Sequence, residues 1–157
     1  MDKRAQSLVR ESINEKKEEV IHSFQVLFQY PFHPNTTFIL LEIRGDGGLF
    51  GLTVTQMNGW GEQLTKNAQG EYAIFEGIGF DTCKKLEQDY QEILEDDEFI
   101  TEIDEYAKEY FVPFFQECFN QAGGKKKAKL PFYLYYPNSG DAYDLVKEKW
   151  LDEDEYL

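Results

Sequence analysis

Residues 38–56 read FILLEIRGDGGLFGLTVTQ, and this stretch decides the fold. Phe38 to Arg44 is a run of large apolar side chains suited to a strand. Gly45-Asp46-Gly47-Gly48 reads as a turn, because glycine reaches positive φ without a Cβ clash. Leu49 to Gln56 returns with Phe50, Leu52 and Val54 on one face and Gly51, Thr53 and Thr55 on the other. Two such runs about a glycine turn predict a β-hairpin. The same glycines do not read as a phosphate loop, which needs a Gly-Lys-Ser/Thr ending or a helix after it.

Upstream, Arg4 to Phe28 is predicted to be one helix, with Leu8, Ile13, Val20, Ile21, Phe24 and Phe28 near helical spacing. The prolines of Tyr30-Pro31-Phe32-His33-Pro34-Asn35 end it. Downstream, Asn58-Gly59-Trp60-Gly61 is a further turn, with Trp60 either packed or exposed as a binding anchor. Glu71 to Phe75 reads as a third strand loosened by Gly77 and Gly79. Asp81 or Thr82 is placed to cap a helix carrying Cys83, Leu86, Tyr90, Ile93 and Leu94 on its inner arc. Asp96-Asp97 then caps a second helix through Phe99, Ile103, Tyr106, Phe111, Phe114 and Phe119, which Pro113 is expected to kink or divide and Gly123-Gly124 to stop.

Lys125 to Lys129 reads as an exposed basic loop. Leu130 to Tyr136 alternates as a strand, with Pro131 at an edge or a start. Pro137-Asn138-Ser139-Gly140 reads as a turn, and Asp141 to Trp150 as a last short helix. The sum is an α+β fold: a small antiparallel sheet containing the hairpin, with helices packed on it. A length of 157 residues fits a single domain, residues 1–157, with 152–157 as a mobile acidic tail.

Charge carries the functional signal. The net charge is −14, and between Glu87 and Glu109 eleven acidic residues stand with one basic residue, Lys108. Like charges held on one fold repel, and a cationic partner offsets that cost. Asp89, Glu92 and Glu95 fall on the outer arc of the first predicted helix, and Glu102, Glu105 and Glu109 on that of the second. Joined through Asp96, Asp97 and Glu98, they form a candidate partner-binding surface for a basic protein. The bland alternative is two solvated helix faces serving solubility. Such faces usually mix lysine with glutamate at i,i+4, and lysine is almost absent here.

The same charge argues against nucleic acid as a direct ligand and against anionic membranes. The N-terminus, charged throughout, lacks the apolar centre of a signal peptide. No apolar run is long enough to span a bilayer, so a cytoplasmic location is expected. Cys83 and Cys118 lie in apolar patterns and read as buried free thiols. With His22 and His33 the only histidines, no metal site or cofactor is expected. No serine sits in a nucleophile elbow, and thirty acids make any carboxylate pair uninformative, so the chain reads as non-enzymatic.

The hairpin Phe38–Gln56 with its Gly45-Asp46-Gly47-Gly48 turn, the aromatic helix Tyr106–Phe119 and the strand Leu130–Tyr136 ending in Pro137-Asn138-Ser139-Gly140 together resemble the small acidic immunity proteins of bacterial polymorphic toxin systems. The resemblance spans most of the chain and rests on layout and composition, so no family site residues are carried over. It implies a single α+β domain that neutralises a cognate, often basic, toxin by occluding its active site. Two further function classes remain: a DNA-mimicking inhibitor whose carboxylates imitate phosphate spacing, and an enzyme using paired carboxylates.

Overall fold

The computed structural model describes residues 1–137 and 140–156. Its order is α1 (Lys3–Asn14), α2 (Lys17–Gln29), β1 (Phe38–Asp46), β2 (Leu49–Gly59), β3 (Glu62–Leu64), β4 (Ile78–Asp81), α3 (Asp97–Gln121), α4 (Gly124–Lys127), β5 (Phe132–Tyr136), β6 (Asp141–Asp144) and β7 (Lys149–Trp150). The α+β class holds, but the sheet is neither small nor purely antiparallel. Seven strands lie in the order β3-β2-β1-β5-β6-β7, with β4 also on β2. β1 and β5 run parallel, and every other strand pairing is antiparallel.

The hairpin forms as predicted. Asp46 faces Leu49 across a two-residue turn whose Gly47 and Gly48 have φ of 62° and 86°. Both positions need the left-handed region, which explains the glycine pair. Ile39, Leu41, Ile43, Phe50 and Leu52 then point to a core shared with Val9, Phe24, Ile103, Phe111, Phe115 and Phe119. On the opposite sheet face, Phe38, Leu40 and Met57 are covered by Trp60, Tyr133 and Tyr135. Trp60 is therefore packed: its ring lies parallel to that of Tyr133 at 5.9 Å.

Five expectations are corrected. The N-terminal helix is two helices, broken at Glu15–Lys16. Tertiary contacts hold the break: the Ser12 hydroxyl accepts the Lys85 amide at 3.2 Å, and Lys84 and Lys85 pair with Glu15 at 3.1 and 3.2 Å. The strand expected at Glu71–Phe75 reduces to one bridge, Lys66 to Tyr72, because β3 and β4 occupy the edge of β2. The helix expected after Thr82 is replaced by two 3-10 turns, Lys84–Leu86 and Ile93–Glu95. Thr82 is held in the sheet by its amide and hydroxyl, both donating to the Gly48 carbonyl at 2.8 Å. Beyond it, Glu87, Asp89, Glu92 and Glu95 would repel one another along a helix.

α3 runs for 25 residues with Pro113 inside it, so the proline does not divide the helix. The last expected helix is instead the β6–β7 hairpin. Asp144 closes its turn, accepting the Val146 and Lys147 amides at 2.9 and 3.0 Å, and Glu148 takes a φ of 55°. Pro131 precedes β5, which lies in the middle of the sheet rather than at an edge. The basic run stays exposed around the short α4, and Lys125 pairs with Glu148. Asn138 and Ser139 of the expected turn lie outside the described residues. Residues 153–156 form a 3-10 turn.

Candidate partner-binding surface

All nine candidate acids, Asp89, Glu92, Glu95, Asp96, Asp97, Glu98, Glu102, Glu105 and Glu109, are exposed. They do not sit on two helices, because the first predicted helix does not form. The irregular segment before α3 and the first half of α3 carry them instead. The Asp96 carboxylate caps α3, accepting the Glu98 amide at 2.9 Å, and Asp97 and Glu98 occupy the first turn, where the helix dipole favours negative charge. Glu98, Glu102, Glu105 and Glu109 follow at three- and four-residue spacing along one face. The opposite face buries Ile103, Ala107, Phe111 and Phe115.

The N-terminus of α1 joins the two acidic segments. Tyr90 stacks on Phe99 with ring centroids 6.0 Å apart and donates its hydroxyl to Asp2 at 3.0 Å. Burial and the Asp2 carboxylate raise the Tyr90 phenol. Asp2 itself caps α1, and its hydrogen bond from the Ala5 amide holds it below the usual carboxylate range. Two of the nine acids meet cations here: Asp89 pairs with Arg4, and Glu102 with the Met1 ammonium at 3.0 Å. The Asp89 carboxylate raises the Arg4 guanidinium. Among the described residues, Glu92, Glu95, Asp97, Glu98, Glu105 and Glu109 form no ion pair. With these six carboxylates outside any ion pair, the patch remains strongly negative.

Asp104 lies in the same run but does a different job. Its two carboxylate oxygens accept the Gly47 and Gly48 amides at 2.8 and 2.9 Å, tying the hairpin turn to α3. Local spacing places Asp104 on α3 but does not tell that a loop more than fifty residues upstream supplies its donors.

Sequence reasoning also missed a cavity of about 710 Å³ at the far end of the acidic face. Glu109 belongs to its wall, together with Val112 and Pro113 of α3. Ile43 and Tyr136, from the parallel strands, and Trp150 of β7 complete its apolar surface. The Tyr136 hydroxyl donates to the Lys108 carbonyl at 2.6 Å and fixes strand to helix, while burial raises its phenol well above the usual range. The opening has a local cause. Pro137 has no N–H with which to extend the β1–β5 ladder, so the pairing stops there. Both prolines were visible in the sequence; their convergence was not.

Cys83 and Cys118 are free and buried. Burial raises both thiols, Cys118 to about 12. This removes the thiolate character a nucleophile needs. Among the described residues no group of three or more His, Cys, Asp or Glu side chains is arranged to hold a metal ion. Among them, too, no helix is long and apolar enough to cross a membrane. No protein-family model matches the chain, and no curated protein or solved structure is detectably similar to it.

Proposed function

We propose that this chain is a non-enzymatic, cytoplasmic binding protein whose Glu87–Glu109 face docks on a basic protein, in the manner of an immunity protein that occludes its cognate toxin's active site. The observation that supports this reading is the row Glu98, Glu102, Glu105 and Glu109 on α3, with Glu92 and Glu95 beside its start. All are exposed, and of the six only Glu102 meets a cation among the described residues. An uncompensated negative face speeds association with a positive one and penalises wrong partners.

The test is capture from the native lysate at low salt with stepwise salt elution, using the wild type and a variant reversed at Glu92, Glu95, Glu102 and Glu105. The reading predicts one basic protein, eluted only at high salt and absent from the variant's eluate. Retention of that protein by a folded variant contradicts it. Several DNA-binding proteins, all displaced by duplex DNA, would replace it with DNA mimicry.

A further inference from the structure

The cavity beside Glu109 has the size of a ligand-holding cleft and an unusual wall. Pro113 and the Glu109 carboxylate side of α3 both line it, and Pro113, lacking an N–H, cannot donate to the Glu109 carbonyl. Asp141 supplies a second carboxylate to the lining. Trp150, 47% exposed, lines it too and presents an indole ring, the aromatic best suited to a cation. Val112 and Ile43 supply apolar surface for a methylene stem.

Two cations also line the cavity. Arg44 is already held by Glu42, with contacts of 3.0 and 2.7 Å. Lys108 forms no ion pair among the described residues, and its flexible stem lets the ammonium turn outward to water.

We propose that this groove is the anchor pocket of the acidic surface and accepts an arginine side chain of the basic partner, with the guanidinium at Glu109 and its stem against Val112 and Trp150. The inference rests on the binding function proposed above and adds where on that surface the partner is gripped. Arginine fits better than lysine because its planar head can grip a carboxylate with two parallel hydrogen bonds and stack on an aromatic ring. The row Glu98–Glu102–Glu105 leads positive charge along α3 toward the pocket.

The experiment uses the full chain labelled with 5-fluorotryptophan and ¹⁵N. The probe is the peptide acetyl-Gly-Arg-Gly-amide, with its citrulline counterpart as the uncharged control. The Trp150 fluorine signal is expected to shift saturably while Trp60, packed on the far sheet face, stays fixed. The citrulline peptide should leave both unchanged. Glu109→Gln should weaken binding at least threefold, and Lys108→Met should tighten it at least threefold by removing the cation that no carboxylate holds, Arg44 being paired with Glu42. A Trp150 signal unmoved by the arginine peptide, an equal shift with citrulline, or weaker binding in Lys108→Met overturns the proposal. Shifts of the Glu98, Glu102 and Glu105 amides without Trp150 would overturn the pocket while leaving the acidic-face reading standing.

Discussion

Asp104 shows how one carboxylate in an acidic run differs from its neighbours. Both its oxygens hold backbone amides of the Gly47-Gly48 turn, so it is structural where Glu102 and Glu105 are exposed to solvent. Charge-assisted hydrogen bonds are stronger than neutral ones, and Asp104→Ala should cost roughly 1–2 kcal/mol. Asp104→Asn, keeping one acceptor, should cost less. Urea denaturation of the two variants checks the order; equal stability of both with the wild type would show that the turn does not need this anchor. Single residues were the level hardest to read from sequence. Acidity was plain along 87–109, but nothing local distinguished Asp104 from Glu105.

At the scale of elements, legibility followed the range of the interactions. The β1–β2 hairpin was readable because its alternation and its glycines are contiguous in sequence. α3 was readable because its apolar face repeats over many turns. Ala142, Leu145, Val146 and Trp150 fit helical spacing, yet Ala142 and Trp150 belong to paired strands and Leu145 to the turn that Asp144 caps. The segment after Thr82 has helical spacing too, but Thr82 is tied to the Gly48 carbonyl and the Lys85 amide to the Ser12 hydroxyl. Parallel pairing of β1 with β5 joins segments about ninety residues apart, and no local pattern encodes it.

The hairpin turn allows a contrast between strain and clash. A Cβ at Gly47 meets nothing within 4 Å, whereas one at Gly48 would lie 2.5 Å from the Cys83 sulfur. Both glycines have positive φ, so Gly47→Ala should lose about 1 kcal/mol to strain alone. Gly48→Ala should lose more, and thermal unfolding of the pair reads the difference. Equal losses would mean that Cys83 moves aside without cost.

At the scale of the whole molecule, stability should fall in alkali. Cys118 is raised from its ordinary 9.0 to about 12 by burial, and Tyr136 is raised likewise. A raised group binds its proton in the folded state over a range where the unfolded chain has released it. Its contribution is therefore complete below pH 9 and is lost progressively as pH rises toward 12. The denaturant midpoint should be lower at pH 10.5 than at pH 8, and Cys118→Val should lessen the fall. An unchanged midpoint would mean that these groups are not shielded. Under the proposed function, a face of largely unpaired carboxylates on α3 and the segment before it would bind a basic protein by charge. The most direct measurement of that binding is the Kd for the captured basic partner across a salt series, for the wild type and for a variant with Glu→Gln at Glu92, Glu95, Glu102 and Glu105. The account predicts that the variant keeps its thermal stability, binds at least a hundredfold more weakly at low salt and shows a flatter dependence on salt. The same Kd and the same salt slope in both proteins would contradict it.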